Sequence, residues 1–160
     1  MTWTTAVSQV TGTLITASIY NGQLIGNLNH LYARPLGYNQ AYYGTDIATT
    51  STSFVDVDPT FMSLTFSLAG TQVICMASFV CVSPSSAAPN YDFIIGATRA
   101  GNAVHGVAGR ASGNLSSMTI FGRFVGLTPG SKTVKLQHKS NGVASGVSGT
   151  QVASIMAWEV

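Results

Sequence analysis

Five carboxylates could do acid or base work, Asp46, Asp56, Asp58, Asp92 and Glu159, and only Asp56 and Asp58 stand close together, in "FVDVDPT". Two positions apart they would share one face of a strand end, as an acid/base pair requires, but a turn entering Pro59 accounts for them better. A calcium loop there would need more acids and a glycine. The histidines His30, His105 and His138 are isolated in sequence, so no ligand set forms with Cys75 and Cys81. None of the many serines sits in a nucleophile elbow, and no histidine has an evident aspartate partner. The glycines of "GNAVHGVAGR" lack the strand-to-helix setting of a phosphate loop and read as a mobile loop between strands. The chain is therefore expected not to be an enzyme and to hold no metal or cofactor; any catalysis would have to use Asp56 and Asp58.

Aromatic side chains offer a different chemistry. Trp3, Trp158 and the tyrosines Tyr38, Tyr42 and Tyr43 could stack on sugar rings, as in a free carbohydrate-binding module. Filling core and subunit interfaces is the favoured role, because the polar partners of a sugar site cannot be located from sequence. A host-surface glycan stays among the partners considered. Cys75 and Cys81 lie six apart in one apparent strand, which puts their Cα atoms about 20 Å apart, too far for a disulfide. They are expected to be buried small hydrophobes.

Composition narrows the function classes. Charged residues make up 8% of the 160 residues, against about 25% in an ordinary soluble domain. So little charge on an apolar chain implies a surface largely covered by partners. The net charge of +2 comes from scattered bases, which argues against the cationic stripe that nucleic acid needs. The longest apolar run, "VICMASFVCV", is far below the roughly 20 residues of a membrane-spanning helix, so no membrane insertion is expected. No basic region followed by an apolar run opens the chain, and synthesis in a cytoplasm without a secretory signal is expected.

The elements that must position these residues fall into two parts. From Thr16, with Thr16 or Ser18 as cap, Tyr20, Leu24, Leu28 and Leu31 recur at helical spacing on one stripe, and Arg34-Pro35 ends the helix. Only about four turns long, such a helix needs its stripe buried. "PLGYNQAYYGTDI" reads as a linker, which gives an arm over 1–45 and a domain over 46–160. Strands are predicted over 49–57, 61–68, 72–82, 91–99, 117–125, 133–138 and 151–160, separated by turn signals such as "DPT", "LTPGS" and "KSNG". That pattern predicts an all-β fold, an antiparallel jelly-roll sandwich with a short N-terminal helical or extended arm.

Met62, Leu64, Phe66 and Leu68 alternate with polar residues, as do Val134 and Leu136, with His138 facing inward. The run from Val73 to Val82 is apolar on both faces, and so is the C-terminal strand, where Val152, Met156, Trp158 and Val160 stand on one side. The two strands are expected to be neighbours whose second face, Ile74, Met76, Val80 and Val82 with Met156 and Trp158, meets a symmetry mate. Cover by the N-terminal helix is the alternative.

The opening stretch resembles a segment near the N-terminus of many tailed-phage and prophage virion proteins. The match lies in Trp3-Thr4, Val10-Thr11-Gly12, Ile15-Thr16-Ala17 and Asn27-Leu28-Asn29-x-Leu31. It departs at Tyr20-Asn21, where the family has Leu-Asn, and at Gly26, where an Arg-Asp pair often precedes Asn-Leu. The remainder is similar in architecture to trimeric heads of the tumour-necrosis-factor and C1q type, through "TTSTSFVDV", "GLTPGSKTVKLQHK" and "ASIMAWEV". The resemblance implies a homotrimeric phage structural protein located in the virion, with a major capsid protein or a tail protein as its other partner. It makes Trp3, Val10, Tyr20, Leu24, Leu28 and Leu31 the virion-facing anchor or subunit clasp. With no shaft repeat in the sequence, capsid decoration is expected ahead of a small tail or fibre component.

Overall fold

The computed structural model describes residues 16–21, 24, 35–84, 86–109 and 115–160. One short helix, α1 (Ala17–Tyr20), begins at the predicted place, closed by the Tyr20 amide donating to the Thr16 carbonyl at 3.0 Å. Beyond it, Asn21 and Leu24 are in π-helical conformation, and the other regular elements among the described residues are strands. The strands are β1 (Pro35–Ala41), β2 (Ile47–Thr49), β3 (Val55–Asp56), β4 (Ser63–Leu68), β5 (Val73–Val82), β6 (Asn90–Ile95), β7 (Thr98–Arg99), β8 (Ala108–Gly109), β9 (Ser116–Phe124), β10 (Gly130–Lys139), β11 (Ser145–Val147) and β12 (Ala153–Glu159).

They form two antiparallel sheets, which we name A and B. In sheet A, β5 carries β9 along one edge and β12 followed by β11 along the other, with β1 on β12 and β2 on β11. In sheet B, β10 lies between β6 on one side and β3 and β4 on the other, and β7 and β8 flank β6. The chain alternates between the sheets as a jelly roll does, the fold class the strand pattern predicts.

Alternation decides which side of each strand is dry. Val73, Cys75, Ala77, Phe79 and Cys81 of β5 face Phe93 and Tyr91 of β6, Val134 and Leu136 of β10 and Leu64, Phe66 and Leu68 of β4, all buried. Both cysteines are free thiols in that core. The Phe79 and Tyr91 rings meet at 4.6 Å between centroids, and the Tyr91 hydroxyl donates across the sandwich to the Gly146 carbonyl of β11 at 2.7 Å.

Three expectations are corrected. Residues 35–41, read as linker from Gly37, Gly44 and the turn-type residues around them, are β1, so the sheet begins ahead of the boundary at residue 46; β1 is an edge strand with a bulge between Pro35 and Gly37, where proline is tolerated. The single strand predicted over 49–57 is two, β2 in sheet A and β3 in sheet B, since the chain changes sheets there. The strand over 91–99 is a hairpin turning at Gly96-Ala97, where Gly96 has φ of 59°.

Candidate functional site

All six residues expected at a subunit interface stand on the outward face of sheet A. The register builds them into rows across the strands. Tyr38 of β1 faces Met156 of β12, Met156 faces Met76 of β5, and Met76 faces Phe121 of β9. Beside this row Trp158 faces Ile74, and Ile74 faces Arg123. On its other flank Gln40, Ser154, Ser78 and Thr119 form a hydroxyl and amide row, in which the Thr119 hydroxyl donates to that of Ser78 at 3.3 Å. Val80 and Val82 continue β5 beyond it.

Two residues of this face are strongly exposed. Phe121 is 62% exposed and Tyr38 55%, while the outward residues of β5 and β12 are half-buried. A row of Tyr, Met, Met and Phe with Trp and Arg beside it has the composition enriched at the centres of protein interfaces. Sequence reasoning named Tyr38 only among the aromatics that fill core or subunit interfaces, and it missed Phe121. Alternation within "SSMTIFGRF" places Phe121 opposite the inward Ile120, but nothing in one strand says which neighbours complete its row.

The arm residues are placed less fully. Trp3, Val10, Leu28 and Leu31 lie outside the described residues, and Tyr20 and Leu24 are 49% and 44% exposed. Of the aromatic residues considered for sugar stacking, Trp3 is also outside them, Tyr43 packs against the core, and Tyr42 is exposed in the turn after β1. Tyr38 and Trp158 share sheet A but fall in adjacent rows with methionine and isoleucine as neighbours.

The acids resolve into structural roles. Asp58 Oδ1 accepts from the amides of Thr60 and Phe61 at 2.7 and 3.0 Å, which makes the predicted turn. Asp56 takes Lys135 Nζ on one oxygen and Gln137 Nε2 on the other, each at 2.7 Å. Burial opposes its ionisation, but the hydrogen bonds from Gln137 and Lys135 and the ammonium charge outweigh it and hold the carboxyl below its ordinary range. Asp92, fully buried, accepts from the amides of Phe93 and Gly101 and from Arg99 at 3.3 Å. His138 faces the core as expected, and the loop after β7 is pinned by Asn102, whose side chain accepts from the amides of Val104 and His105. Among the described residues no three His, Cys, Asp or Glu side chains converge as a metal site would need, and no helix is long and apolar enough to cross a membrane.

No protein-family model matches the chain, and a comparison with curated proteins finds no match. The outward face of sheet A therefore carries the functional reading on its own chemistry.

Proposed function

We propose that the chain is a non-enzymatic structural protein of a tailed-phage virion, a surface-displayed homotrimer that decorates and stabilises the capsid. The observation that carries this reading is the apolar row Tyr38–Met156–Met76–Phe121, which runs across four strands on the outward face of sheet A. Large apolar patches on a sparsely charged sandwich mark surfaces that a partner covers. Cyclic packing of identical sandwiches about a threefold axis would bury it, one edge of each sheet meeting the neighbour's face in a heterologous contact. The virion assignment is supported by the resemblance of the segment from Trp3 to Leu31 to phage virion proteins. A trimer has the symmetry of the threefold positions of an icosahedral shell, which favours the capsid over the tail. Binding only the assembled shell, it would stabilise that shell in proportion to RT ln(1 + [L]/Kd).

Sedimentation of the purified chain tests the first step. The wild type is expected at the mass of three chains, and Ile74→Asp or Val80→Asp at the mass of one, with an unchanged β-sheet circular dichroism spectrum. A trimer indifferent to both substitutions would remove this face from the assembly. Cryo-electron microscopy of particles containing the chain tests placement, since density at the tail or a vertex would make it a fibre component.

A further inference from the structure

The outward face of sheet B has the opposite character. Two depressions, of about 270 and 500 Å³, meet there at Gly96 and Thr133, which line both. Asp56, Lys135 and Gln137 line the smaller one, and the larger continues past Thr98, Leu127 and Lys132. Gly96, with open space where a Cβ would stand, leaves the junction unobstructed.

We infer that this groove binds a neutral oligosaccharide, with Asp56, Lys135 and Gln137 holding a pair of adjacent hydroxyls and the Thr98–Leu127 end holding the next sugar unit. The three side chains keep spare bonding capacity. Lys135 Nζ and Gln137 Nε2 each spend one N–H on Asp56, so both keep donors, and each Asp56 oxygen keeps a lone pair. A sugar hydroxyl donates and accepts at once, so two neighbouring hydroxyls can satisfy the carboxylate and the ammonium together. An anion would meet Asp56, and a cation would meet Lys135, at the same spot. At this end of the groove the paired charges thus favour a polyol over a phosphate or a metal ion.

The wall is also fixed before any ligand arrives. Gln137 Oε1 accepts from Arg99 at 2.9 Å, Arg99 reaches the buried Asp92, and its guanidinium lies 4.5 Å over the Phe54 ring. Anchoring the exposed groups through this chain to a fully buried acid reduces the entropy that binding must otherwise remove. Leu127 and Ile94 supply apolar contact for C–H faces of a sugar ring. The inference is independent of the virion reading.

The test is a TROSY NMR titration of the full chain with a panel of glucan, mannan and galactan tetrasaccharides and one uronate-bearing tetrasaccharide. At least one neutral sugar is expected to bind with Kd about 1 mM, a typical strength for few contacts. Its amide shifts should centre on Gly96, Thr98, Thr133, Lys135 and Gln137. Thr98→Trp, at an exposed position, should block the groove and abolish those shifts, while Gln137→Ala should weaken binding about tenfold. The inference is overturned if no neutral sugar shifts these amides, if only the uronate binds, if shifts gather on Tyr38 and Trp158, or if Thr98→Trp leaves affinity unchanged. Sedimentation of the same samples reads the trimer separately, so a monomer that binds sugar would refute the trimer and leave the groove standing.

Discussion

His138 shows how far one residue can depart from its ordinary chemistry. It sits on β10 at 2% exposure, its ring 6.4 Å from that of Tyr91, and its Nδ1 has no hydrogen-bond partner among the described residues. Burial pushes its pKa down to about 4 from 6.5, because a cation in that core would lose its hydration. The unfolded chain therefore binds a proton that the folded chain refuses. Stability is complete above pH 6.5 and falls as the pH drops towards about 4, by roughly 3 kcal/mol over that window. Urea midpoints at pH 7 and pH 4.5 check this, and His138→Gln should flatten the slope between them whatever it does to the midpoint itself. Asp56 acts in the same direction but lower, since its stabilising contribution is lost only as pH falls through and below 3.8. A midpoint constant from pH 7 to 4.5 in the wild type would mean that His138 is hydrated or paired in solution.

At the scale of elements, the sequence is readable where alternation is strong and unreadable where pairing decides. β4, β5, β10 and β12 follow their hydrophobic pattern almost residue for residue, because a strand with one dry face must alternate. The interface candidates on β5 and β12 were legible for the same reason, as the positions that alternation leaves over. β1 was hidden by Gly37, Gly44 and the turn-type residues around them, and the place of Tyr38 in its row with it. The polar network was not legible either, since Asp56, Gln137 and Arg99 are brought together only by the register of β3, β10 and β7. β11 was hidden because "SGV" has no pattern of its own; its place depends on backbone proximity to β2. A Cβ on Gly146 would stand 1.9 Å from the Ile47 carbonyl oxygen and 2.8 Å from the Ala48 Cα, both backbone atoms that cannot step aside singly. Gly146→Ala is therefore expected to push β2 off the sheet and cost about 2–3 kcal/mol in urea unfolding. Faster amide exchange should appear in residues 47–49 while β12 stays protected, and unchanged exchange there would show that β2 is held by other contacts.

On the scale of the whole molecule, the two outer faces of the sandwich differ in kind, and the difference assigns them different neighbours. Sheet B presents Lys135, Gln137, Asp56 and paired threonines Thr65 and Thr133, whose hydroxyls lie 2.8 Å apart, so water or a hydroxylated ligand suits it. Sheet A presents methionines and aromatics, which suit a second copy. In the proposed assembly, attachment to the particle would be the task of the arm residues Tyr20, Leu24, Leu28 and Leu31. These roles predict an ordered pattern of failure. Leu24→Asp combined with Leu28→Asp should leave the trimer mass unchanged but lower binding to particles that lack the protein at least tenfold, about 1.4 kcal/mol or more in all. Val80→Asp should lose the trimer and, with it, the avidity of three attachments, so that particle binding falls further than the arm variant alone explains. Cosedimentation with particles, measured beside the sedimentation mass of each free variant, separates the two. An arm variant that also dissociates the trimer would make the stripe a clasp between subunits and leave particle attachment to some other surface.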